Sequence, residues 1–147
     1  MPTINKVFLD SSILIEAIKG TKTELLDKLL NIDEYDCYIN SIVVSEFMFH
    51  FLAVNSSVAP LSLKMKKGIN EIIHQNDSYK MLQYFKFLDS DSSIIQTVPL
   101  LMQQYNLLPN DAIIIANCKI NGISSLASYD SELLPVCAKE GIGFITA

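Results

Sequence analysis

Four of the sixteen acidic residues stand where acids are unusual in a folded chain. Asp10 closes the apolar run Val7-Phe8-Leu9, and Asp130 closes Ser125-Leu126-Ala127-Ser128-Tyr129. Glu46 is set between Ile42-Val43-Val44 and Phe47-Met48-Phe49, with no lysine close in sequence to pair with it. Asp111 follows Pro109 at the head of Ala112-Ile113-Ile114-Ile115. Taken singly, an acid at a helix start relieves unpaired N–H groups and suits the helix dipole, for about 0.3–1 kcal/mol. For Asp111 alone, capping and function stand level. An acid embedded in apolar sequence, as Glu46 is, is paired, protonated or bound to a cation. Two carboxylates 4 Å apart repel by ~1 kcal/mol in water and ~4 kcal/mol at an effective dielectric near 20. Four together would cost more than helix dipoles offset, and a dication removes the conflict. All-oxygen ligation without His or Cys points to Mg²⁺ or Mn²⁺, ions that activate water and support in-line phosphodiester cleavage.

The four acids are separated by 36, 65 and 19 residues, so the fold must gather them. Val7-Phe8-Leu9 reads as a buried strand running into a helix with Ile13, Leu14, Ile15 and Ile18 that stops at Gly20. Thr21-x-x-Glu24 is a possible capping box for a second helix with Leu25, Leu26, Leu29 and Leu30 on one face. Cys37-Tyr38-Ile39 is the next strand, and Ser41 the expected N-cap of a helix through Glu46 to about Ala53. Met65, Ile69, Ile72 and Ile73 form a helical stripe. Tyr84 to Leu88 reads as a third strand. A helix runs from Ile94, with a kink or late start at Pro99. Pro109 opens another, ending before Gly122. Ser125–Ser128 and Gly143–Ile145 are the last strands, with a short helix from Leu133 to Lys139 between them. Alternating strands and helices predict an α/β fold, a three-layer α/β/α sandwich on a mostly parallel sheet. In such a sheet the carboxyl ends of strands and the starts of the following helices share one edge, where ligands bind.

The 147 residues fit one domain, 1–147, and half are apolar, enough for a core without disulfides. No apolar run approaches the ~20 residues of a membrane span, and the first residues lack a secretion signal, so a cytoplasmic location is expected. Cys37, Cys118 and Cys137 form no zinc-type spacing and read as small buried hydrophobes. The net charge is −5 and arginine is absent. Tight general nucleic-acid binding is therefore not expected from charge. Lys64, Lys66 and Lys67 read as a solvated helix face, with a phosphate-steering rim as the minority reading. His50, one turn after Glu46, could approach the edge, but it and His74 read as structural. Asn117, six residues after Asp111, faces away from it. Phe47, Met48, Phe51 and Leu52 read as core or dimer contact.

Four segments together resemble the PIN domain family of metal-dependent ribonucleases, which includes the VapC-type toxins. Val7-Phe8-Leu9-Asp10-Ser11-Ser12-Ile13-Leu14-Ile15 is similar to the family's opening strand and acid. Ile42-Val43-Val44-Ser45-Glu46-Phe47 is similar to its apolar helix with an embedded Glu. Leu108-Pro109-Asn110-Asp111-Ala112-Ile113-Ile114-Ile115-Ala116-Asn117-Cys118 fits its D-A-x-I-x-A-x-A helix, with Cys118 for the last small residue. Leu126-Ala127-Ser128-Tyr129-Asp130 is similar to its strand ending in a hydroxyl residue, any residue, then Asp.

The resemblance implies a metal site of Asp10, Glu46, Asp111 and Asp130 that cleaves RNA, with one or two Mg²⁺ or Mn²⁺ ions. Glu132 could share or replace the part of Asp130. Ser12 and Ser128 would orient carboxylates or water, or else serve as capping and turn hydroxyls. A homodimer and a small antitoxin partner are implied as well. The stretch 55–84 carries no signature, and substrate choice is expected there. The alternative is a non-catalytic PIN-fold module that binds RNA or protein. Phosphotransfer through an aspartyl nucleophile ranks last, because the second acid it needs two residues after Asp10 is Ser12.

Overall fold

The computed structural model describes residues 4–146. Five strands, β1 (Asn5–Leu9), β2 (Tyr35–Ile39), β3 (Lys86–Phe87), β4 (Ser125–Ala127) and β5 (Gly143–Ile145), form one sheet in the order β3-β2-β1-β4-β5. Every neighbouring pair is parallel. β1 is central, and Val7, Phe8 and Leu9 are fully buried. A strand covered on both faces needs such an unbroken apolar run. The order in which strands are added reverses at this strand: β1 leads to β2 and β3 on one side, then the chain returns to β4 on the other. The crevice at such a switch point lies between the carboxyl ends of β1 and β4.

Eight α-helices among the described residues connect the strands: α1 (Ser11–Ile18), α2 (Glu24–Asn31), α3 (Ser41–Ser56), α4 (Pro60–Met65), α5 (Ile69–Gln75), α6 (Ile94–Tyr105), α7 (Pro109–Ile120) and α8 (Leu133–Glu140). Ala112 and the unbroken run 114–118 bury α7 on all sides, while Phe47 and Phe51 of α3 sink into the same core. All three cysteines are free and buried. The parallel α/β sandwich expected from the alternation is the observed fold. Among the described residues no helix is long and apolar enough to cross a membrane.

Several local expectations differ. The capping box at Thr21 does not form: Thr23 holds the N-cap of α2 without a side-chain bond. Lys22 has a left-handed backbone (φ 46°), and the Thr21 hydroxyl turns back to Glu16 at the end of α1. The N-cap of α3 is Asn40, one residue before Ser41; its side chain accepts from Val43 N at 3.0 Å. The Met65–Ile73 stripe is broken into α4 and α5. Lys67 is left-handed (φ 57°) and Gly68 N donates to Leu63 O at 3.0 Å, closing α4 and leaving Met65 at 77% exposure. The third strand shrinks to Lys86–Phe87 because Ser78–Tyr84 winds as a 3-10 helix. Helix α6 begins at Ile94 and continues through Pro99, whose exposed position leaves the unpaired carbonyl one turn earlier facing water.

Candidate metal centre

β1 pairs with β4 in the register Leu9↔Ala127, and Asp10 N donates to Ala127 O at 3.0 Å. Asp10 and Ser128 therefore leave the sheet side by side. Asp10 takes the N-cap position of α1 but makes no capping bond, so capping does not account for its side chain. It is 6% exposed, and its Oδ2 accepts from Ser12 Oγ at 2.9 Å and Ser128 Oγ at 2.7 Å. Ser12 Oγ also accepts from Tyr129 N at 3.1 Å, and Ser128 Oγ from Asp130 N at 2.9 Å. Two hydroxyls thus lock one carboxylate oxygen and stitch the loop after β4 to the start of α1. Both serines touch Asp10 directly, beyond any turn role.

Asp130 is half-buried. Its Oδ1 accepts from Glu132 N at 3.0 Å, an Asx turn that leads into α8. Glu132 is exposed and stands at the N-cap of α8 without a capping bond. Glu46, on the second turn of α3, is gripped at both oxygens. Ser11 Oγ donates to Oε1 at 3.2 Å and Asn110 Nδ2 to Oε2 at 3.4 Å. Neither Ser11 nor Asn110 stands out in the sequence. The available signal is adjacency, since each flanks a candidate acid in the first turn of a helix.

Asp111 ties the set together electrostatically. Burial comes first, then repulsion from Asp10, Asp130, Glu46 and Glu132, and these push its carboxyl from 3.8 up to about 6. The N-cap of α7 is Leu108, and no side chain caps that helix. The ion pairs among the described residues, Lys19–Glu16, Lys86–Asp36 and Lys119–Glu140, involve none of these acids. Asp111 thus feels four other carboxylates, and none of the five is ion-paired among the described residues.

They do not form a closed cage: among the described residues, no three His, Cys, Asp or Glu side chains are grouped tightly enough to hold an ion. The two findings are compatible, because repulsion at effective dielectric near 20 acts beyond coordination distance. Like charges also favour rotamers that keep them apart. The donor chemistry, carboxylate oxygens with no imidazole or thiolate, fits a hard divalent cation.

His50 is exposed, with its ring edge-on to Phe49 at 5.7 Å. Asn117 is turned from Asp111, as its spacing predicts, and is buried. Its Oδ1 accepts from Asn40 Nδ2 at 3.3 Å and from Ser90 Oγ at 3.0 Å.

Comparison with known proteins places the chain in a family. A PIN domain family model matches residues 7–139. The chain is 35% identical over 140 residues to Ribonuclease VapC6 of Methanocaldococcus jannaschii, covering 87% of this chain and 90% of that protein. It is 31% identical over 130 residues to Ribonuclease VapC2 of the same organism, covering 87% of each. Among solved structures, PAE2754 from Pyrobaculum aerophilum matches with a TM-score of 0.60 at 16% identity, over 97% of this chain and 90% of that one. VapBC2 from Rickettsia felis, bound to a DNA fragment from their promoter, matches with a TM-score of 0.58 at 14% identity, over 97% and 98%. At such identities the structural matches speak for the fold, while the family match runs from the first buried strand into the last helix. On that span of agreement, this chain belongs to the PIN domain family.

Proposed function

We propose that the chain is a divalent-metal-dependent endoribonuclease, the toxin of a toxin–antitoxin pair. The observation that carries this reading is the acidic edge around Asp111, which feels carboxylates from three other segments, none of them ion-paired among the described residues. The relatives named ribonucleases at 31% and 35% identity support the same activity. One or two Mg²⁺ or Mn²⁺ ions, held by Asp10, Glu46, Asp111 and Asp130, would supply the activation of water and the charge neutralisation that phosphodiester hydrolysis needs.

The chain's own groups prepare that edge. Ser12 and Ser128 fix Oδ2 of Asp10 and so set the direction of its other oxygen. Ser11 and Asn110 donate to the two oxygens of Glu46 across the gap between α1 and α7. The Asx turn at Asp130 commits Oδ1 to the backbone and leaves Oδ2 for a ligand, with Glu132 within electrostatic reach of the same edge. Preorganised donors of this kind reduce the reordering required when a ligand arrives.

A small antitoxin and a homodimeric assembly belong to the same reading, as does action in the cytoplasm. The net charge of −5 would complement a basic antitoxin segment laid over the acids. The test is incubation of the purified protein with structured RNAs in Mn²⁺. Cleavage lost with EDTA and in Asp10→Asn is the expected outcome, and cleavage indifferent to both would remove the proposal.

A further inference from the structure

An acidic edge repels a phosphodiester, and a chain without arginine has only lysine to draw one in. Tyr129 lies between Ser128 and Asp130, and its hydroxyl donates to the backbone carbonyl of Lys22 at 3.0 Å. Lys22 Nζ lies over the same ring, 5.1 Å from the centroid, within range of a cation–π contact. The Lys22 backbone is left-handed (φ 46°), a conformation that costs a residue with a side chain on the order of 1 kcal/mol. The Tyr129 hydroxyl helps hold that turn. Lys22 makes no ion pair among the described residues; of the acids near this pair, Glu24 and Glu16, Glu16 is held by Thr21 and lies 4.0 Å from Lys19. Lys19, Lys86 and Lys119 each face an acid. Seven other lysines also lack an ion pair among the described residues; Lys22, exposed, is distinguished by two contacts with Tyr129, a residue whose neighbours belong to the acidic edge.

We propose that Lys22, stationed on the Tyr129 ring, receives a backbone phosphate of single-stranded RNA beside the acidic edge and so registers the strand. This assignment rests on the ribonuclease reading above and adds the residue that positions its substrate. An ammonium binds phosphate as a point charge without reading sequence. Lys22 therefore acts on affinity and not on bond cleavage, and its removal raises KM with kcat little changed.

The test measures binding of a fluorescent, cleavage-resistant single-stranded RNA to the full chain in Mg²⁺, across a series of KCl concentrations. Lys22→Gln is expected to weaken binding several-fold and to reduce the slope of log K against log salt by about 0.7, one phosphate contact on a single strand. Lys22→Arg should restore the slope. Tyr129→Phe keeps the charge and the ring, so it should weaken binding less and leave the slope intact. A Lys22→Gln chain with wild-type affinity and slope overturns the assignment, as does a wild-type chain that fails to bind the probe. A wild-type chain that binds the probe but cleaves no RNA in Mn²⁺ overturns the nuclease reading and leaves the Lys22 contact standing.

Discussion

Ser128 Oγ donates to Asp10 Oδ2 at 2.7 Å across the seam between β1 and β4, while accepting from Asp130 N. One fully buried hydroxyl therefore serves two of the candidate ligands. Ser128→Ala leaves a carboxylate oxygen and a backbone amide short of a partner. A loss of ~1–3 kcal/mol in urea unfolding at neutral pH is expected. Ser12→Ala, at a half-buried position with similar bonds, should cost less because water can replace it. A Ser128→Ala chain as stable as the wild type would show that the seam does not depend on this hydroxyl.

Asp111 gives the metal-free protein a pH-dependent stability of definite sign. Its carboxyl is raised from 3.8 to about 6 in the folded state, so between those values the folded chain binds the extra proton. The stabilisation is fully present below about pH 4 and is lost as pH rises through about 6. The shift corresponds to at most about 3 kcal/mol, and partial solvent screening lowers that to ~1–2 kcal/mol. Asp111→Asn, measured in EDTA, should therefore be more stable than wild type at pH 7.5 and close to it near pH 4. Equal destabilisation at both pH values would contradict the repulsion inferred at this edge.

The same carboxyl should govern ion binding. Ligands must be deprotonated before a metal can use them, so Mn²⁺ affinity is expected to drop as pH falls below about 6, where Asp111 takes up its proton. At neutral pH and roughly a hundredfold excess over Kd, binding adds ~2.7 kcal/mol, a rise of about 5–10 °C in Tm for a domain of this length. Asp10→Asn and Glu46→Gln should abolish most of that rise. A non-catalytic scaffold would show no carboxylate-dependent shift in this melting experiment.

The acids were legible as candidates because each occupies a position the chain pattern itself defines: the end of an apolar strand or an early turn of a helix. A parallel sheet brings such positions to one edge however far apart they are in sequence, and β1 and β4 are the strands flanking its switch point. What holds the acids was less visible. Ser11 and Asn110 look like ordinary helix-start residues until α1, α3 and α7 meet. The α4–α5 break was hidden because Met65 and Ile69 keep helical spacing, while the chain turns at Lys67 and Gly68, whose conformations no periodicity reveals. At Ser41 the alternation of strand and helix was right and the cap wrong by one residue, since Asn and Ser cap about equally well and the strand ends at Ile39, just before Asn40.

Asn117 joins the helices that carry two of the acids. Its Oδ1 accepts from Asn40 Nδ2 and Ser90 Oγ, and Asn40 in turn caps α3, which bears Glu46, while Asn117 belongs to α7, which bears Asp111. Asn117→Ala leaves the buried Asn40 amide without that acceptor, and a loss of ~1–3 kcal/mol is expected. Ser90 is exposed, so water can satisfy its hydroxyl and Ser90→Ala should cost under about 1 kcal/mol. Because both donors share one acceptor, the double variant should show a coupling of at least ~0.5 kcal/mol, against strict additivity for independent sites. If the network fixes α3 against α7, Asn117→Ala should also weaken Mn²⁺ binding, measured by calorimetry on chains that remain folded, more than Ser90→Ala does. Additive stabilities together with unchanged Mn²⁺ affinity would mean that apolar packing alone sets the spacing of Glu46 and Asp111.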